Sequence, residues 1–264
     1  MKHLKNQTIV ITGATSGLGL ALATEAVKNG ADLILISRSE TALEGVLTQL
    51  SKLKRENATI QYVAADLAQP ERIDTAIRFL ENLGRPIDVF INNAGSGLSG
   101  EFVNNDWSHV ENMCRLNMMA VARLSHWAGK TMKERRRGRI INISALAALQ
   151  AQPYFGIYGA TRSFITNLSM AMHQELKKYR VHVSCVHPGS IKSNFETSAR
   201  INNTLAIRLL GHMPAEKVAK KILTKLHKNQ AFSVVGLPYK MIYWSSLITP
   251  KSLGLKLMAV LFKQ

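Results

Sequence analysis

The apolar run at residues 8–11 leads straight into Thr12-Gly13-Ala14-Thr15-Ser16-Gly17-Leu18-Gly19, and residues 20–27 then carry apolar side chains at helical spacing. Strand, glycine turn and helix in that order constrain the fold more than any other feature of the chain. Glycines let the backbone turn tightly and approach a pyrophosphate, while the first helical turn offers unpaired N–H groups and a positive dipole end. A dinucleotide is therefore expected near the N-terminus. The spacing is Gly, three residues, Gly, one residue, Gly. That is not the common G-x-G-x-x-G, so the rest of the chain decides whether these glycines bind or merely turn.

Further short apolar runs occur at residues 33–37, 60–65, 87–92, 139–144, 181–187 and 232–235, with helical patterns between them. Together with residues 8–11 they make seven strands. Strands this apolar suit a parallel sheet covered on both faces, and the β, α alternation implies right-handed crossovers. The expected fold is α/β: a doubly wound, Rossmann-type, seven-stranded parallel sheet in one domain over residues 1–236, with a helical extension over 237–264. Residues 190–214 read as an irregular lid after the sixth strand, at the sheet end where ligands bind in such folds. Its Phe195, Ile201, Leu205, Leu209 and Leu210 imply an apolar pocket.

The net charge is +17, and from residue 201 onward there are ten Lys or Arg against the single acid Glu216. Residues 239–264 mix these lysines with Trp244, Leu253 and Phe262 and are expected either to contact an anionic membrane surface peripherally or to pack on the core or a second subunit. The basic run at 133–139 falls where a helix should end, so its cations complement the helix dipole. No nucleic-acid-reading element accompanies either run, and no nucleic-acid partner is expected. No stretch reaches the roughly 20 apolar residues of a membrane span, and no signal peptide is evident, so a cytoplasmic chain is expected. Cys114 and Cys185 lack metal-ligand spacing and read as packed side chains, with no metal expected.

From about residue 5 to residue 236 the chain resembles the short-chain dehydrogenase/reductase superfamily. The resemblance rests on the turn 12–19, on Asp66-Leu67, on Asn92-Asn93-Ala94-Gly95, on Asn117, on Tyr158-Gly159-Ala160-Thr161-Arg162 and on Pro188-Gly189. The basic tail is similar to that of bacterial broad-range members. The resemblance implies cofactor contacts from Gly13, Thr15, Ser16, Gly17, Leu18, Gly19, Asp66, Leu67, Asn93, Ala94, Gly95, Pro188, Gly189 and Ile191. It also implies Tyr158 as the proton donor or acceptor, Asn117 as support for a water relay, and assembly as a homodimer or homotetramer. A tyrosine, with a free pKa of about 10, needs a nearby cation to do acid–base work near neutrality.

Two positions depart from the family pattern. The lysine expected four residues after the tyrosine is Arg162, which keeps the charge and can contact ribose but cannot be deprotonated to relay a proton. The family's serine falls on Ala145, with Ser144 one residue earlier. Neighbouring strand positions face opposite ways, so Ser144 serves only where the strand has ended or bulged. At the end of the second strand Arg38 stands where NAD-preferring members carry an acid, and it suits a 2′-phosphate; the expected cofactor is NADP(H). Two functions follow: an oxidoreductase interconverting a hydrophobic carbonyl and its alcohol, with Tyr158, Asn117, Arg162 and Ser144 as candidate catalytic residues; or an NADP(H)-binding sensor or scaffold with weakened catalysis.

Overall fold

A computed structural model describes residues 1, 4–55, 57–191, 205, 208 and 211–262. The strands are β1 (Thr8–Thr12), β2 (Asp32–Ser37), β3 (Ile60–Ala64), β4 (Val89–Asn92), β5 (Gly138–Ile143), β6 (Val181–Pro188) and β7 (Phe232–Val235). They form one sheet in the order β3-β2-β1-β4-β5-β6-β7, and every pairing is parallel. The order reverses beside β1, between β2 and β4. In open α/β sheets the ligand crevice lies outside the carboxyl ends of the strands at such a point.

Both faces of the sheet are buried, which explains the unbroken apolar runs. Ile9, Ile11 and Leu33 face one helix layer, while Val10, Ile34 and Ile36 face the other. The first layer holds α1 (Gly17–Lys28), α2 (Glu40–Ser51) and α7 (Ala215–Thr224), packed through Leu22, Val46 and Val218. The second holds α3 (Pro70–Glu81), α5 (Val121–Glu134) and α6 (Gly156–Leu176), packed through Ile73, Leu124 and Met172. Each such large side chain taken from water contributes about 1.5–3 kcal/mol, so the two layers together fix the strand register.

The basic run at 133–139 ends α5 as its sequence suggests. Arg135 donates to the carbonyl oxygen of Ile87, Arg136 to Lys178 O and Arg139 to Leu226 O, while Arg137 lies 3.8 Å from the Asp88 carboxylate. These cations bind the fold to itself.

The C-terminal extension forms α8 (Leu237–Ile248) and α9 (Lys251–Phe262). It is part of the core on its inner side. Tyr239 is buried, its hydroxyl donates to Gly211 O at 3.0 Å, and its ring fills the space where a side chain on Gly189 would stand. Of the proposed lid, residues 192–204, 206–207 and 209–210 lie outside the described residues, so the expectation for Phe195, Ile201, Leu209 and Leu210 does too.

Candidate active site

Thr12, the last residue of β1, stitches the glycine turn to the Asn93-Ala94-Gly95 turn. Its Oγ1 accepts the N–H groups of Asn93 and Ala94, each at 2.9 Å, and the Asn93 amide donates back to Thr12 O at 3.0 Å. Gly13 has φ +65°, which favours glycine. A Cβ on Gly19 would stand 2.1 Å from Gly13 O, so α1 can approach the turn only without a side chain there. Ser16 makes no side-chain cap at the head of α1, and the first turn carries no acid. The N–H groups there are left for a ligand.

Two hydroxyls and a cation lie beside this turn. Thr15 Oγ1 and Ser37 Oγ are 3.0 Å apart, and Arg38, just past β2, is exposed at the cleft. Asp66 Oδ1 accepts the N–H of Ala68 at 3.1 Å, fixing the loop after β3.

Tyr158 and Arg162 sit one turn apart on α6, so they share a face. The guanidinium carbon of Arg162 lies 5.0 Å from the centre of the Tyr158 ring, within range of a cation–π contact. Arg162 is 4 % exposed. Its Nη1 donates to Ile143 O at 3.2 Å, its Nη2 fills the space beside Gly95, and its buried Nε has no partner among the described residues. A buried cation with an unmet donor fits a ligand that brings hydroxyl acceptors, as a ribose would.

Asn117 lies in Arg115–Ala120, where the helix between α4 (Trp107–Cys114) and α5 widens into a π-wound turn. Such turns recur at functional sites. Its side chain is buried and does not reach the cleft surface. Its Oδ1 accepts Ser96 N–H at 3.0 Å, and its Nδ2 donates to Ser96 O at 2.9 Å and to Thr161 Oγ1 at 3.0 Å. Thr161 in turn donates to Tyr158 O at 2.8 Å. The carboxamide thus clamps the loop after β4 to the helix that carries the tyrosine.

Ser144 lies just past the end of β5 and lines the cleft. Strand β5 ends at Ile143, yet Ser144 keeps the ladder geometry, with its N–H on Val186 O at 2.8 Å. Its hydroxyl donates to Arg162 O at 2.9 Å and lies 3.1 Å from Thr166 Oγ1, so it is committed to α6. Ala145 presents only a methyl group to the cleft.

Behind Ser144 lies His187. Its Nδ1 is 3.3 Å from Ser233 O, which can only accept, so that nitrogen carries the proton, and Nε2 lies 2.9 Å from Thr166 Oγ1. Burial pushes its pKa down to about 4, partly offset by the Ser233 contact. In the unfolded chain it titrates near its ordinary value of about 6.5, so between those values the unfolded state binds more protons. Stability is then lost as pH falls from about 6.5 to about 4, by up to roughly 3 kcal/mol. The check is the difference in melting temperature between pH 7.5 and pH 5 (about those values), which should shrink in His187→Gln.

Every sequence-predicted site residue except Gly19 and Asn117 lines one cleft of about 960 Å³. The cleft is large enough for a dinucleotide and a further ligand. Sequence reading missed several of its walls. His109, Asn112 and Met113 come from α4, and Gln150 and Gln152 from the loop after β5. Their place after the carboxyl ends of strands was the available signal. Tyr243, Ser246, Met258 and Phe262 come from α8 and α9, and the Phe262 ring meets Phe155 at 5.5 Å. Phe155 itself packs against Tyr158, with ring centres 6.5 Å apart.

Among the described residues no helix is long and apolar enough to cross a membrane. The family model for short chain dehydrogenases matches residues 7–204. The ketoacyl reductase HetN of Nostoc sp. is 26 % identical over 235 residues, covering 89 % of this chain and 80 % of that protein. A 3-ketodihydrosphingosine reductase of Mus musculus is 27 % identical, covering 86 % of this chain and 70 % of that protein. Among solved structures, a short-chain dehydrogenase from Sphingobium yanoikuyae in complex with NADPH superposes with a TM-score of 0.80 at 25 % identity, covering 91 % of this chain and 92 % of that one.

Proposed function

This chain belongs to the short-chain dehydrogenase family, and on that premise we propose that it is an NADP(H)-dependent oxidoreductase interconverting a hydrophobic carbonyl compound and its alcohol. The observation that carries the reading is the Tyr158–Arg162 pair, buried against the same cleft as the glycine turn. The relatives named as reductases of ketoacyl and ketodihydrosphingosine compounds favour the carbonyl-reducing direction and a chain-bearing substrate.

The nicotinamide, when bound, supplies or takes up hydride at the carbonyl carbon. The chain's own residues do the rest. Tyr158 gives its phenolic proton to the carbonyl oxygen, or takes one from the alcohol. The Arg162 guanidinium lies beside its ring, and a guanidinium does not pass on a proton. Arg162 also holds the nicotinamide ribose hydroxyls through donors left over from Ile143 O. Asn117 acts as a positioning residue by holding the Tyr158 helix to the loop after β4. Asp66, Leu67, Asn93, Ala94 and Gly95 hold the adenosine half, and Pro188, Gly189 and Ile191 the nicotinamide half. The Phe155, Met258 and Phe262 side chains exclude water from the reacting centre.

Arg38 selects the phosphorylated cofactor. It makes no ion pair with another described residue, so its guanidinium is available for a 2′-phosphate. Arg38→Glu should weaken NADPH binding by about ten- to a hundredfold and leave NADH binding little changed, since a charged hydrogen bond contributes roughly 1.5–3 kcal/mol. Fluorescence titration with both nucleotides reads this. Equal loss for both would assign Arg38 to general surface charge. A homodimer or homotetramer through α4–α6, where Met119 and Met170 are exposed, completes the proposal.

A further inference from the structure

The two C-terminal helices are apolar on both sides. Inward, Ile242, Tyr243, Met258 and Leu261 line the cleft. Outward, Leu237, Met241, Trp244 and Ile248 follow one another at steps of four, three and four residues along α8, between 59 % and 85 % exposed. Leu253, Leu257 and Val260 repeat this along α9, between 51 % and 64 % exposed. A helix that only roofs a pocket has a polar outer face, and a contiguous apolar surface of this kind marks a contact with something else.

No acid occurs after Glu216, and Lys240, Lys251 and Lys256 stand on these helices. A two-fold contact with a second copy would set this surface against itself, lysines facing lysines with no carboxylate to answer them. A bilayer offers acyl chains to the apolar stripes and phosphates to the lysines. Each helix has 12 residues, so it is too short to span a membrane and suited to lying in its interface. Leu257 joins the two sides: half exposed outward, it also lines the cleft.

We propose that the outer face of α8 and α9 docks on an anionic lipid bilayer and that the cleft beneath it takes an amphiphilic carbonyl substrate from that bilayer. The second half rests on the reductase reading above; the first does not.

The test uses the full chain with vesicles of phosphatidylcholine alone or mixed with phosphatidylglycerol. Flotation should retain the protein on the anionic vesicles and leave it free of the neutral ones. Lys251→Gln and Lys256→Gln should each weaken binding about fivefold. Met241→Asp with Ile248→Asp should abolish it; neither side chain lines the cleft, so NADPH oxidation with a water-soluble ketone should persist while turnover of a vesicle-embedded long-chain ketone falls. Absence of retention on anionic vesicles would overturn the docking. So would sedimentation showing that the two aspartates dissociate an oligomer that ignores vesicles, which would make the face an interface between copies. Flotation without NADPH oxidation on either ketone would leave the docking standing and overturn the substrate half together with the reductase reading.

Discussion

Ala145→Ser should raise kcat for carbonyl reduction by about a hundredfold, since one preorganised hydrogen-bond donor at a developing oxyanion is worth about 10²–10³ in rate. Ala145 is extended, with φ −154° and ψ 165°, and it lines the cleft beside the apolar cluster that holds Tyr158. Its neighbour Ser144 turns its hydroxyl to Arg162 O, and consecutive extended residues point to opposite sides. A hydroxyl at 145 therefore faces the substrate, and one at 144 faces α6. The companion variant Ser144→Ala should leave kcat/KM nearly unchanged and cost about 1 kcal/mol of stability. Steady-state NADPH oxidation and thermal unfolding read the two effects. A silent Ala145→Ser paired with a dead Ser144→Ala would show that the polarising hydroxyl is the one at 144.

Tyr158→Phe should lower kcat by about 10²–10⁴-fold, the usual worth of a positioned general acid or base. The ring remains to pack against Phe155 and under the Arg162 guanidinium, so NADPH affinity should be retained. Only the transferable proton is removed. Single-turnover rates with saturating NADPH separate the chemical step from binding. Retained turnover would remove Tyr158 from the chemistry and move attention to His109 or Tyr243, which line the same cleft.

The sheet and the nucleotide turn were readable in the sequence because each follows from a local rule. Buried parallel strands are apolar throughout, and glycines at Gly13 and Gly19 have no substitute where backbone meets backbone. The register argument at Ser144 and Ala145 was readable for the same reason, although only the structure shows that the Ser144 hydroxyl is taken up by α6. The position of Asn117 was readable by resemblance, but its π-wound turn and its clamp on Ser96 and Thr161 were not, since they depend on contacts between segments distant in sequence. That residues 237–262 roof the cleft on one side was hidden by composition. When both faces of a helix are apolar, periodicity cannot tell which one is buried. Packing of Tyr239, Met258 and Phe262 decides it.

The most direct measurement is mass analysis of the product formed from a long-chain ketone and NADPH carrying deuterium at both hydrogen positions of the nicotinamide C4. One deuterium is expected on the carbinol carbon with the wild-type chain and essentially none with Tyr158→Phe over the same time. Tight NADPH binding with no labelled alcohol from any of a broad set of ketones and aldehydes would contradict it, and would leave a nucleotide-binding protein that does no carbonyl chemistry.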